Sequence, residues 1–162
     1  MEHLHMQASG RITGATSVTE SEPEVWKSRL RELVDACVNG SADEEADRIR
    51  EAMLLLHGGP FSALPVRSVS PADIQAKLVC GGAVSAVIAL LGPDTVFMLS
   101  RGEGNCCLAT VIVGLGAEEV TSVGPTLALA LLAAYLQGLM AIVDRAHSIM
   151  GKFSPGSGSG PQ

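Results

Sequence analysis

The residues best suited to chemistry in this sequence are cysteines and histidines, and their spacing forms no catalytic or metal-binding pattern. Cys106 and Cys107 are adjacent, so in a strand their side chains would point to opposite faces. A cysteine nucleophile needs a base within hydrogen-bonding reach, and the candidates His57 and His147 are distant in sequence. The four cysteines contain no CxxC pair, which argues against a zinc site or a disulfide framework. We predict no catalytic residue, no metal and no cofactor; an enzyme would require one of these cysteines to meet a histidine in a pocket.

Two glycine-containing segments resemble functional loops but lack essential parts of them. The sequence GLGAEE at 114–119 follows a predicted strand, as a dinucleotide-binding loop would. Glu119 replaces the third glycine of that fingerprint, and two carboxylates would repel a pyrophosphate. The sequence HGGP at 57–60 is similar to an oxyanion loop, yet a predicted helix precedes it and the chain has no GxSxG nucleophile motif. We interpret both segments as structural turns.

The composition indicates one apolar domain that is poor in aromatic residues. Hydrophobic residues make up 47% and aromatic residues 3% of the 162 positions, which favours close helix packing. The net charge is −6, and residues 1–59 carry most of it, with eleven acidic and six basic side chains. Because phosphate neutralisation requires clustered lysine and arginine, we expect no nucleic-acid partner.

Residues 22–59 are predicted to form two helices joined by a tight turn. Apolar residues at helical spacing give each helix one stripe, and the sequence NG at 39–40 ends the first. A capping box at 41–44 (SADE) begins the second, and GGP at 58–60 ends it. So short a turn predicts an antiparallel helical hairpin.

The second half of the chain predicts an α+β fold. Two β-rich runs, within a segment from Thr95 to Val113, are separated by RGEGN and predict a β-hairpin. A third strand at 120–123 would make the sheet three-stranded and antiparallel. The apolar run at 83–91 suits a strand or a helix equally. A long apolar helix at about 125–145 should pack across the hairpin.

The predicted organisation has five parts. They are a disordered arm at 1–21, the helical hairpin at 22–59, a linker at 60–69, an α+β sandwich domain at 70–150 and a flexible tail at 151–162.

The length of the predicted last helix suits either the core of a globular domain or a membrane span. The segment from Val123 to Val143 has no charged residue. It is long enough to cross a hydrocarbon core. Its large side chains fall on one wide arc and its small ones on the opposite third, which favours a helix that covers a sheet with its broad face of large side chains. Gln137 near its middle and the lack of a flanking Lys/Arg cluster also oppose a membrane span.

The small side chains of this helix are the predicted candidate interaction surface. They permit close approach by another helix, from the helical hairpin or from a second subunit; a face turned to water is the other reading. The set is Ala130, Ala133, Ala134, Gln137 and Ala141.

The run GPTLALALLAAYL at 124–136, which follows the predicted strands, resembles the end of phage ABA-sandwich type domains, in which a helix packs across a β-hairpin. The resemblance extends over about 94–140. It implies a small phage or prophage accessory protein and identifies no functional residues.

The leading functional hypothesis is a non-enzymatic accessory or protein-interaction module that binds a protein partner or a second copy. The alternative is a membrane-associated protein inserted from Val123 to Val143. Unpaired thiols and a polar stretch at 1–21 predict a cytoplasmic location.

Overall fold

The computed structural model describes residues 21–60 and 64–152. Its elements, in chain order, are α1 (Glu22–Asn39), a 3-10 turn (Ala42–Glu44), α2 (Glu45–His57), α3 (Pro71–Val79), α4 (Ala83–Leu90), β1 (Thr95–Arg101), β2 (Cys107–Val113), β3 (Glu119–Gly124) and α5 (Leu127–Lys152). The fold is α+β, with a helical hairpin and a three-stranded antiparallel sheet, as predicted. The predicted arm lies outside the described residues except for residue 21, and so does the predicted tail beyond Lys152.

The helical hairpin begins and turns at residues suited to those positions. The capping box at the turn is present, because the Ser41 hydroxyl accepts from the Asp43 amide while the Glu44 carboxylate accepts from the Ser41 amide. At the other end of the hairpin, the Trp26 Nε1 donates to the Leu55 carbonyl at 2.8 Å. The two helices are therefore held together at both ends.

The ambiguous apolar run is a helix rather than a strand. α3 ends in a turn where Gly81 has a φ of 73° and the Gly82 amide donates to the Lys77 carbonyl. α4 begins directly after that turn and contacts α2, α3 and α5. A positive φ at Gly81 lets the chain reverse without strain, and the following residues then continue as a helix.

In the sheet, β2 lies between β1 and β3. Cys107, Ala109, Val111 and Val113 alternate along β2 and are all buried, whereas the residues between them are only half-buried. This period of two shows that one face of the sheet packs against the core and the other does not. We call the packed side the inner face.

α5 runs through the middle of the molecule, between the inner face and the helices. It contacts β2 and β3 on one side, α1 on another, and also α2 and α4. Residues 128–136 of α5 are all buried, and a helical segment buried on all sides is expected to be apolar all round, which accounts for the lack of charge there. The helix extends to Lys152, so residues 151–152, expected in the tail, belong to α5.

The small side chains of α5 face the sheet, which corrects our expectation that its large side chains do. A β-carbon placed on Gly124 of β3 would lie 2.7 Å from the Ala130 nitrogen, and one on Gly138 would lie 2.6 Å from the Val113 Cγ2. Gln137 also donates to the Ser122 hydroxyl of β3 at 3.2 Å. Small residues let the helix lie close to the sheet, while its large side chains fill the space toward the other helices.

The helical hairpin and the sheet share one hydrophobic core. Residues of α1 and α2 belong to the same buried cluster as those of β2 and α5. Lys27 of α1 is 6% exposed, and its ammonium lies 2.5 Å from the Asp144 carboxylate of α5 and 3.7 Å from that of Glu24. A buried ammonium needs such partners, so this ion pair fixes the hairpin against the central helix.

Candidate interaction surface

The predicted interaction residues on α5 lie inside the fold. Ala130, Ala133 and Ala134 are 0% exposed. Gln137 and Ala141 are half-buried, and Gln137 is hydrogen-bonded to the sheet. The close approach that their small size permits is already used by the inner face. This set therefore offers no free surface to a partner in the folded chain.

An exposed apolar surface instead lies on the opposite side of the sheet, which we call the open face. The strand register places three residues from each strand on it. They are Val96, Met98 and Ser100 of β1, Leu108, Thr110 and Ile112 of β2, and Glu119, Thr121 and Val123 of β3.

The open face is more apolar than the solvated side of an antiparallel sheet usually is. Met98 is 69% exposed, Val96 65% and Val123 40%. Leu108 and Ile112 between them are half-buried. Glu119, at one corner, is the only charged residue of the set. Such a group of neighbouring apolar side chains is typical of a binding surface.

Local chemistry explains why the strands form despite this exposure. Four of the seven residues of β2 are β-branched and suit a pleated surface, and the Thr110 and Thr121 hydroxyls of the open face hydrogen-bond across strands at 2.9 Å. The hairpin turn places Gly104 and Asn105 at positive φ, 67° and 62°. The sheet geometry thus comes from short-range sequence signals, and the open face results from it.

β1 is exposed on both of its faces. Phe97 points to the inner face but is still 37% exposed, because α5 lies mainly against β2 and β3. β1 is also an edge strand. The open face and β1 together form one continuous accessible region.

The sequence carries a signal for this region, although the interaction surface predicted above lies elsewhere. In β1, apolar residues occupy both alternating sets, with Phe97 and Leu99 on one side and Val96 and Met98 on the other. In the described part of the chain, α5 is the main helix that covers the three-stranded sheet. A strand that is apolar on both sides, next to one covering helix, indicates an unpartnered face.

The raised pKa values of Cys37 and Tyr135 come from their burial in the core. Burial raises the pKa of the Cys37 thiol to about 12, and Arg48 and Glu51 have smaller, opposite effects on it. Burial also raises the pKa of Tyr135 to about 12, against a backbone hydrogen bond from Gly92. A thiol held in its protonated form is a poor nucleophile, so Cys37 is not suited to catalysis.

The candidate cysteine nucleophiles and the candidate base His57 belong to different elements, the β1–β2 hairpin and the end of α2. Cys107 is buried in β2 and Cys106 is exposed in the hairpin turn. The His57 Nε2 accepts from the Val69 amide at 3.4 Å, in the linker that follows α2. Among residues 21–60 and 64–152, no group of three or more His, Cys, Asp or Glu side chains is arranged to hold a metal ion.

Two open clefts lie on the described chain. One, of about 340 Å³, lies at the end of the helical hairpin beside Trp26, Arg29 and Leu54. Another, of about 430 Å³, lies where α4 and α5 begin, beside Arg101 and Glu45. The Glu45 carboxylate there accepts from the Thr126 hydroxyl at the start of α5. It would oppose an anion in this cleft.

α5 is the one helix of the described segments that is long and apolar enough to cross a membrane. In the fold, 67% of its most apolar window is buried. The core helix of a globular domain has the same length and composition.

No family model, curated protein or solved structure matches this chain.

Proposed function

We propose that this chain is a non-enzymatic protein-interaction module that binds a protein partner through the open face and β1. One observation carries the proposal. The open face has neighbouring apolar side chains that are accessible, and the helices of the described residues that contact the sheet, α1 and α5, do not cover it. Burying apolar surface is the main driving force of protein association. A domain that leaves such a face exposed has a surface suited to that purpose.

The size and shape of the surface favour a protein over a small molecule. Three strands spaced about 4.8 Å apart, two of seven residues and one of six, at about 3.4 Å per residue give an area on the order of 300 Å². The largest apolar patch on a typical monomer covers about 300–600 Å² and is often functional. Small-molecule sites are concave, whereas this face is a sheet surface.

The charge of the region also narrows the class of partner. The open face carries one charged residue, Glu119, and β1 carries Arg101 at its end. Two opposite charges at distant corners give no basic patch for a phosphate backbone. This supports a largely apolar, uncharged protein surface as the partner.

The alternative function, insertion into a membrane from Val123 to Val143, is disfavoured by the position of α5. Leu129, Leu132 and Leu136 of that segment are fully buried against the rest of the chain. Exposing them to lipid would open the core and leave the inner face of the sheet uncovered. We therefore do not adopt this alternative.

A phage or prophage origin and a cytoplasmic location are part of the same proposal. The origin rests on the resemblance of residues 124–136 to the helix of phage ABA-sandwich type domains. The location is supported by the four cysteines, none of which forms a disulfide.

Photocrosslinking from the open face tests the proposed function. A photoreactive amino acid placed at Val96 or at Val123 should give a discrete protein adduct in cells that express the full chain, and mass spectrometry identifies it. Glu32, exposed on α1, is the control position. Adducts of equal yield from Glu32, or none from either open-face position, would refute a protein-binding role for this face.

A further inference from the structure

We infer that the partner of β1 is a second copy of this chain. Two copies would pair antiparallel through β1 around a two-fold axis at Met98, giving one continuous six-stranded sheet. The inference rests on the proposed interaction function and names the partner of the β1 edge. Four properties of β1 carry it: free hydrogen-bonding groups, an unprotected edge, a self-complementary register and compatible charges.

The backbone groups of β1 that point outward follow from the hydrogen bonds at its two ends. The Gly114 amide donates to the Asp94 carbonyl at 3.3 Å, and the Gly102 amide donates to the Cys106 carbonyl at 2.8 Å. Hydrogen-bonded pairs alternate along an antiparallel ladder. Residues 96, 98 and 100 therefore bond to β2, and Phe97, Leu99 and Arg101 direct their amide and carbonyl groups away from it.

The β1 edge lacks the features that usually prevent strands from pairing. Its seven residues include no proline and no lysine, and the register with β2 is one-to-one from Thr95 to Arg101, without a bulge. At the other edge of the sheet, β3 carries Glu119 and is contacted by α1. Among residues 21–60 and 64–152, the β3 edge of the sheet is thus protected and the β1 edge is not.

The sequence of β1 is self-complementary in one antiparallel register. With Met98 opposite its own copy, Phe97 lies opposite Leu99, and both present free backbone groups, so they can exchange hydrogen bonds. All seven residues then lie opposite a residue of the second copy, with Val96 opposite Ser100, although the Thr95 amide keeps its own bond to the Gly92 carbonyl at 3.2 Å. The two open faces remain on the same side and form one larger apolar surface.

Pairing also covers the side chain that α5 leaves exposed. Phe97 is 37% exposed on the inner face. In the paired sheet its ring lies beside Leu99 of the second copy, and an aromatic side chain opposite an aliphatic one is a favourable cross-strand pair. The second copy thus completes the packing at the edge of the core.

The charges of β1 permit this arrangement. Arg101 is the only charged residue of the strand, and it lies opposite Thr95 of the second copy. The two Arg101 residues are six positions apart along the paired strands, which is about 20 Å, or roughly two Debye lengths at physiological salt. Most of the acidic residues lie in the helical hairpin, which packs against the other side of α5.

Engineered cysteines test the register. In the full chain with Cys80→Ser and Cys106→Ser, Met98→Cys should form an intermolecular disulfide under mild oxidation, because residues facing each other at a non-hydrogen-bonded pair have Cα atoms about 4.5 Å apart. Val96→Cys is the matched control, since it has similar exposure on the same strand and face. Its counterpart would be about 14 Å away. Equal yields from the two variants, or no dimer from either, would overturn the register.

Sedimentation equilibrium tests the edge. The wild-type chain should dimerise with concentration, and Met98→Lys should raise the dimer Kd by at least about tenfold, because two ammonium groups then face each other. Val123→Lys, on the same face but on β3, should leave the Kd within about twofold. If Val123→Lys weakens the dimer as much, the copies pack face to face and edge pairing is excluded. If the wild type stays monomeric while open-face photocrosslinks to another protein persist, the proposed function holds and self-pairing fails.

Discussion

Substitution of Gly124 by alanine tests how closely α5 lies against the sheet. The added β-carbon would be 2.7 Å from the Ala130 nitrogen and 3.2 Å from the Ala130 Cα. These are backbone atoms in the first turn of α5, so no side-chain rotation can relieve the contact. Because real β-carbons essentially never approach another atom within 3.0 Å, α5 must move away from β3 or the strand must bend.

The size of the effect is a balance of two terms. Overpacking a well-filled core costs about 1–3 kcal/mol. Replacing glycine in a strand returns about 0.5–1 kcal/mol, because the unfolded chain loses backbone freedom. Gly124 does not have a positive φ, so no strain term is added. We expect Gly124→Ala to lower the free energy of unfolding by about 1.5 kcal/mol.

Equilibrium urea unfolding measures this change, followed by far-UV circular dichroism and by the fluorescence of Trp26, the single tryptophan. With an m-value of about 1–3 kcal/mol/M, the midpoint should fall by about 0.5–1.5 M. Gly151→Ala is the control, since a β-carbon there meets nothing within 4 Å, and it should be neutral or slightly stabilising. If Gly124→Ala is as stable as the wild type, the small residues of α5 do not limit its distance from the sheet.

Three further measurements test the ion pair and the thiols. Asp144→Asn should lower the free energy of unfolding by about 1–2 kcal/mol, because Lys27 stays buried without its nearer partner. The control Asp47→Asn, in an exposed pair, should change the free energy of unfolding by less than about 0.5 kcal/mol. Equal effects of the two substitutions would contradict the role of the buried ion pair. Burial raises the pKa of Cys37 from 9.0 to about 12, so the unfolded state loses this proton first, and stability should fall above about pH 9 by up to about 1.4 kcal/mol per pH unit. Cys37→Ala should flatten that slope between about pH 9 and 10, and an unchanged slope would show that other groups cause it. A thiol reagent at pH 8 should modify the exposed Cys106 rapidly and leave Cys37 unmodified until the chain unfolds; equal rates in the folded protein would contradict the buried position of Cys37.

The helices and strands were predictable where short-range signals specify them. The capping box at Ser41 predicted the turn of the helical hairpin, and the glycine-rich turn between the β-rich runs predicted β1 and β2. The segment at 83–91 was undecidable, because a short apolar run contains no period. Its helical form depends on the Gly81 turn before it and on contacts with α2 and α5.

The orientation of α5 could not be read from its own sequence. Helical periodicity separates the large side chains from the small ones, but it does not say which set meets the sheet. That choice depends on Gly124 and Gly138, where helix and sheet approach each other most closely, and on helices elsewhere in the chain that accommodate the large side chains. A narrow face of small residues serves equally well for contact within a chain and between chains, so the sequence alone does not show that Ala130, Ala133 and Ala134 are buried inside the fold.

The central position of α5 has a consequence for the order of folding during synthesis. α5 is the last element of the described chain, yet the hairpin of α1 and α2 and the inner face of the sheet both bury their apolar residues against it. While the ribosome is still producing residues before Leu127, both partners lack the α5 surface against which they bury most of their apolar residues. We expect the nascent chain to stay uncompacted, and to depend on chaperones, until the last helix leaves the exit tunnel. Ribosome-bound chains that end at Gly124 should accordingly be degraded by protease far faster than chains in which Lys152 has emerged.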